Sequence, residues 1–190
     1  TAASNDGGMG RGHVEREAAR WPDELRIDRS NMQPFKTGVV RRAVARNSAS
    51  TTSKNSYIEG FGYVNEEAQG ICGWSGTRNV HILNNYSEGG AENIMFGGSD
   101  PAIPNLVPAD ITVTGNYVTK QVSWRAETWS AKNLIELKNA CRVTIGGNTF
   151  ENNWEGGQRG FAIEFTVRNQ DGTCAWCQGD HAGFEDNILR

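Results

Sequence analysis

The amino-acid sequence predicts an all-β fold, a parallel solenoid of about six turns. Three observations predict it. A strand-like phrase that closes on an asparagine recurs along the chain. A second short apolar strand precedes that phrase in most units. Helical periodicity is absent from most of the chain, while 23 glycines supply tight corners and prolines number only 5.

The recurring phrase reads HILNNYSEGG at 81–90, ITVTGNYVTK at 111–120, VTIGGNTFENNW at 143–154 and GFEDNILR at 183–190. Its asparagines, Asn85, Asn116, Asn148 and Asn187, follow one another at intervals of 31, 32 and 39 residues. Ser30 and Ser56 fall into the same slot upstream, at intervals of 26 and 29 residues. The second strand reads AVARN (43–47), GICGW (70–74), NIMFG (93–97), NLIELK (133–138) and FAIEF (161–165). Units of this length, made of short strands and corners, fit a coil in which each strand lies parallel on its equivalent one turn away. Val80 and Ile82, Ile111 and Val113, and Val143 and Ile145 then face inward as columns, with His81, Thr112 and Thr144 facing outward. At the corner, Asn tolerates left-handed backbone, and stacked Asn amides bond to one another along the coil.

The chain divides into an N-terminal extension or cap, residues 1–26, and a solenoid domain, residues 27–190. Within the extension, HVEREAARWPDEL (13–25) favours a short helix up to Pro22. The chain opens on Thr1 with no charged-then-apolar leader, which points to a removed leader or to a piece of a longer chain. A formal charge of −3 gives no basic surface for nucleic acid. No apolar run is long enough to span a membrane. Four cysteines in 190 residues are not a disulfide framework. Cys72 reads as a small core residue, and Cys174-x-x-Cys177 is a weak zinc or redox signal without a second pair. No metal site and no cofactor are expected.

The passages NNYSEGGAENIMFGGSDPAIPNLVPADITVTGNYVTK, KNLIELKNACRVTIGGNTFENNW and GFAIEFTVRNQDG resemble the right-handed parallel β-helix of the pectate-lyase-like superfamily, and in particular its secreted bacterial repeat proteins. The resemblance covers roughly residues 27–190. It implies a right-handed coil, an extracellular or periplasmic location and a polysaccharide partner. The clustered aspartates of a lyase calcium site and the accompanying strand signature are absent, so no catalytic residue is carried over from that family.

Candidate chemistry comes from the outward strand positions and the long insertions. Glu136 and Lys138 point the same way in NLIELK, and in the next turn Glu164, Thr166 and Arg168 follow suit. Stacking places Glu164 beside Glu136, and two adjacent carboxyls form an acid–base pair once proximity raises one pKa. Lys138 and Arg168 would then stabilise a sugar carboxylate or an enolate. The alternative is a solvated charge ladder. Asp100 lies in the insertion GGSDPAIPNLVPAD (97–110). Trp124 and Trp129 lie in QVSWRAETWSAK (121–132), either as sugar platforms or as a small satellite core. Asp171 lies in RNQDGTCAWCQGDHAG (168–183), as a turn residue or a substrate contact. The sequence thus supports a secreted protein that binds or cleaves polysaccharide, as a lyase or a glycoside hydrolase. The competing reading is a non-catalytic structural or adhesive module that self-associates through its ends.

Overall fold

The computed structural model describes residues 22–35 and 40–190. Seventeen short strands among the described residues form three parallel sheets. The first sheet stacks β1 (Arg26–Asp28), β4 (Ala49–Lys54), β7 (Arg78–Leu83), β10 (Ala109–Thr114), β13 (Ala140–Gly146) and β16 (Gly179–Glu185). The second stacks β2 (Asn31–Met32), β5 (Tyr57–Ile58), β8 (Tyr86–Glu88), β11 (Tyr117–Thr119), β14 (Thr149–Glu151) and β17 (Ile188–Leu189). The third stacks β3 (Arg42–Ala45), β6 (Gln69–Gly73), β9 (Glu92–Phe96), β12 (Ile135–Leu137) and β15 (Ile163–Phe165). Each repeat visits the three sheets in the same order, which is the arrangement of a β-helix. Two strands per unit were legible in the sequence. The third, the two- or three-residue strand just after each ladder residue, was too short to show a period.

Register follows the sequence intervals. Ile27 pairs with Ser53, Thr51 with Val80, Val80 with Ile111, Ile111 with Val143 and Val143 with Ala182. Val80, Ile82, Ile111, Val113, Val143 and Ile145 are all buried in one core, joined by Ile58, Val118 and Phe150 from the second sheet and Ile71, Ile94 and Ile135 from the third. Like side chains meet like in such a stack, so a branched aliphatic packs on its equivalent with little rotamer choice left open.

The asparagine ladder forms as the spacing predicts. Asn85 donates through Nδ2 to Asn116 Oδ1 at 3.0 Å, Asn116 to Asn148 at 2.9 Å and Asn148 to Asn187 at 2.9 Å. Each Oδ1 also accepts the backbone N–H of the ladder residue one turn back, and the file ends with Ser56 N on Asn85 and Ser30 N on Ser56 Oγ. Every Asn also donates to a strand carbonyl of the neighbouring turn, as Asn116 does to Ile82 at 2.8 Å. One detail differs from the sequence reading. The left-handed residue of the corner is not the ladder residue but the one before it: Arg29, Asn55, Asn84, Gly115, Gly147 and Asp186 all have φ between 48° and 67°. Backbone bending and amide bonding are thus divided between two adjacent positions. This explains the recurring pairs Asn-Asn, Gly-Asn and Asp-Asn.

Most of the proposed N-terminal helix, residues 13–21, lies outside the described residues, and 22–25 carry no regular structure. Cys174 and Cys177 form a disulfide. Cys72 is fully buried in the core, and its burial pushes the thiol up to about 12. Among the described residues no helix is long and apolar enough to cross a membrane.

Candidate functional site

Two places on the surface gather chemistry-bearing side chains. One is a groove along the second sheet. The other is a carboxylate–ammonium cluster on the third.

The groove encloses about 760 Å³ and is lined by Tyr57, Tyr86 and Tyr117 together with Asn55, Asn84, Gln121 and Asn152. Tyr57, Tyr86 and Tyr117 occupy one register position of the parallel sheet, so the fold stacks them. Their ring centroids are 4.9 and 5.7 Å apart and their planes nearly parallel. Thr149 continues the file where another aromatic would otherwise stand. Beside the rings runs a second file, in which Asn84 Nδ2 donates to Asn55 Oδ1 at 2.8 Å and Asn55 Nδ2 to Asp28 Oδ1 at 3.1 Å. Buried Glu88 fixes the wall. It accepts from the Tyr86 hydroxyl at 2.6 Å, from Gln121 Nε2 at 3.1 Å and from Gly60 N at 2.8 Å. Burial, then the bond to Glu88, raises the Tyr86 hydroxyl well above the usual phenol range, so it stays a protonated donor. Under the groove lies Lys120, fully buried, with its ammonium on Gly89 O (2.8 Å), Ala91 O (2.7 Å), Asn93 Oδ1 (2.7 Å) and Asn133 O (3.2 Å).

Sequence reasoning did not single out these tyrosines. The signal was present: a Tyr follows the ladder residue in Ser56-Tyr57, Asn85-Tyr86 and Asn116-Tyr117. Reading it required knowing that a short strand of the second sheet begins there.

The cluster holds three of the sequence-predicted residues, Glu136, Glu164 and Lys138, and the fourth, Arg168, reaches it only through its backbone. Glu136 pairs in register with Glu164, as the repeat implies. Lys138 Nζ lies 3.4 Å from Glu136 Oε2. Arg168 is exposed, and its backbone N donates to Lys138 O at 2.8 Å. Three residues not foreseen complete the group. Glu92 accepts from Gln69 Nε2 at 2.8 Å and lies 3.4 Å from Lys132 Nζ, which also pairs with Glu67. Glu136 is 1% exposed and Glu92 fully buried. Burial, opposed by Lys138 and reinforced by Glu92, pushes Glu136 up to about 7. Burial would raise Glu67 as well, but the bond from Lys132 outweighs it and holds that carboxyl low. Glu164 accepts from Asn133 Nδ2 at 3.1 Å.

The remaining candidates sit elsewhere. Asp100 is buried and accepts from the backbone N–H of Gln170 (2.7 Å), Asp171 (3.1 Å) and Thr173 (2.8 Å), and from the Thr173 hydroxyl (3.0 Å). Asp100 and Asp171 are therefore brought together, with Asp100 clamping the loop that displays Asp171. Despite its burial, these bonds hold the Asp100 carboxyl below the usual range. The loop is pinned again by Trp176 Nε1 on Leu106 O at 3.2 Å. Trp124 is buried, its ring centroid 4.7 Å from that of Trp129. The Trp129 ring covers Gly62, where a Cβ would lie 2.4 Å from it. The 168–183 loop is thus tied to the 97–110 insertion, and Trp129 of the 121–132 insertion packs over Gly62.

Comparison with protein-family models, curated proteins and solved structures gives no match. Among the described residues no group of three or more His, Cys, Asp or Glu is placed to hold a metal ion.

Proposed function

We propose that this chain is a right-handed β-helix of about six turns that binds an extended polysaccharide along the tyrosine groove, without cleaving it. The right hand follows from the general preference of parallel crossovers and from the pectate-lyase-like resemblance of the sequence. An extracellular or periplasmic location follows from the same resemblance and is supported by the Cys174–Cys177 disulfide, which persists in oxidising compartments.

The observation that carries the reading is the groove's periodicity. Ring edges, phenol hydroxyls and amides repeat at the strand spacing of about 4.8 Å. A linear polymer of sugar units presents hydroxyls and C–H faces at a comparable repeat. Tyr57 is 54% and Tyr117 39% exposed, so both ends of the aromatic file are open to a ligand. Tyrosine offers an apolar face and a polar tip at low entropic cost. Titration calorimetry against a panel of neutral and acidic polysaccharides tests the reading. Tyr57→Ala and Tyr117→Ala should each weaken binding about tenfold, or about 1.4 kcal/mol. Unchanged affinity in both variants would remove the groove from consideration.

A second reading, cleavage of the same polymer, is favoured by one observation: Glu136, pushed up to about 7, neighbours Glu164. Its cost is access, because Glu136 is 1% exposed beneath Lys138. Release of reducing or unsaturated ends that disappears in Glu136→Gln would establish cleavage in place of simple binding.

A further inference from the structure

We propose that the tyrosine groove takes a neutral, hydroxyl-rich glycan and excludes acidic polysaccharides, which rests on the reading of the groove as a polysaccharide site. The direction of the hydrogen bonds around the rings decides it. A ligand can use only the donors and acceptors that the protein leaves unengaged.

Two carboxylates engage the donors. Asp28 is held below the usual carboxylate range by the bond from Arg26, so it accepts and does not donate. Asn55 therefore turns Nδ2 toward Asp28, at 3.1 Å, and Oδ1 toward the next turn. Asn84 Nδ2 meets that Oδ1 at 2.8 Å, which leaves the Asn84 Oδ1 exposed, with no donor on it among the described residues. Glu88 does the same at the wall. It accepts from the Tyr86 hydroxyl at 2.6 Å, and its two oxygens accept from Gln121 Nε2 at 3.2 and 3.1 Å. The Tyr86 oxygen then offers a ligand only lone pairs, and Gln121 presents its Oε1. What remains is a surface of acceptors. Sugar hydroxyls donate to such a surface, whereas sugar carboxylates and sulfates are acceptors only.

Charge points the same way. The charges that act on the Tyr86 hydroxyl, Glu88 and then Glu59, are both negative. Lys120 lines the groove but is fully buried, and its ammonium is engaged by Gly89 O, Ala91 O, Asn93 Oδ1 and Asn133 O. Acidic groups are held by charge-assisted bonds from Arg or Lys, and among the described residues lining the groove none is an exposed cation. An acidic sugar would give up water here with no cation to replace it. The exposed rings of Tyr57 and Tyr117 stack on the C–H face of a sugar, which needs no charge.

Titration calorimetry on the full chain tests the selection, with a neutral glucan, mannan, xylan and galactan each set against its own carboxymethylated form. A neutral form should bind, and its carboxymethylated partner should bind about tenfold or more weakly, because like charges are brought together. The deficit should shrink as salt is raised. Full O-methylation of the bound glycan removes its donors without adding charge and should abolish binding. Asn84→Arg puts a cation at a corner where Arg29 already stands two turns back on the same left-handed backbone (φ 48° against 52°). It should raise affinity for the carboxymethylated form about threefold or more. Should circular dichroism show that variant unfolded, Gln121→Lys at an exposed position beside Glu88 carries the same expectation. A carboxymethylated form that binds as tightly as its neutral parent, and loses that binding in Tyr57→Ala, would overturn neutral selection while leaving the groove a polysaccharide site. So would undiminished binding of the O-methylated glycan, or a basic variant that folds and gains nothing toward the acidic form. No binding by any of these polymers would remove the polysaccharide reading itself, and the selection with it.

Discussion

Removing one internal rung of the asparagine ladder, Asn116→Ala, should destabilise the chain far more than removing the terminal rung, Asn187→Ala. Asn116 is buried, and its amide makes five bonds. It donates to Ile82 O (2.8 Å), Thr114 O (3.1 Å) and Asn148 Oδ1 (2.9 Å), and accepts from Asn85 N (2.9 Å) and Asn85 Nδ2 (3.0 Å). Some of these partners keep another bond after truncation. Asn85 Nδ2 retains Ser53 O, and Asn148 Oδ1 retains Asn116 N. Asn85 N and Ile82 O lose a buried partner outright. At about 1–3 kcal/mol for each orphaned group, the expected loss is about 2–5 kcal/mol. Asn187 is half-buried, so water replaces much of what its amide supplied to Asn148, and the loss should stay near 1 kcal/mol. Urea unfolding followed by circular dichroism measures both, and an unchanged slope would show that the unfolded state is not the source. Equal effects of the two variants, or a loss below about 0.5 kcal/mol for Asn116→Ala, would refute the idea that the amides satisfy buried backbone.

Further outcomes follow from other parts of the molecule. Lys120→Met leaves four oxygens around an empty position and should cost about 3–5 kcal/mol in the same unfolding assay. Glu136 titrates near 7 when folded and near the ordinary carboxylate value when unfolded, so the folded chain binds the extra proton between those values. Its stabilising effect is complete below about pH 4.5 and fades as pH rises through 7. Glu136→Gln should remove that decline, a difference of about 1–3 kcal/mol in stability measured at pH 5 and pH 8. Gly62→Ala should force Trp129 off its seat and cost about 1–3 kcal/mol, while adding saccharide to the unmodified chain should leave tryptophan fluorescence unchanged if the Trp124–Trp129 pair is only a flank core. Asp100→Ala should make the 168–178 loop the first point of limited proteolysis, with the cuts located by mass spectrometry.

The fold was legible because solenoid geometry makes side chains one repeat apart into spatial neighbours. Asn85, Asn116, Asn148 and Asn187 are distant in sequence and bonded in space, so one interval, read correctly, yields a contact. The same interval delivered the Glu136–Glu164 pairing and the inward columns. It could not say how deep an outward position lies. Glu136 faces away from the core, as alternation requires, yet neighbouring Lys138, Glu92 and Met95 keep it from water. Insertions obey no repeat, so whether Asp100 reaches out to a ligand or in to the 170–173 backbone is decided by tertiary packing alone. The Trp124–Trp129 pair is the same case, its place set by packing of the Trp129 ring over the glycine at position 62.

The tyrosine file shows the converse. A single exposed tyrosine in a loop-rich sequence has no functional meaning. Three at the same register position become a continuous surface because the backbone spaces them at about the thickness of an aromatic ring with some offset. That spacing is set by backbone hydrogen bonding and not by the tyrosines, so it cannot be tuned to close the gap between rings. The rings are therefore held slightly apart and slightly tilted, at 19° and 7°. A purely structural aromatic stack would be expected to run toward the interior, where burial makes it worth most, as Phe150 does against Phe184. This one stands on the outside, bordered by amides. On the reading proposed above, a ligand that covers the rings would bury the area that Tyr57 and Tyr117 now leave to water.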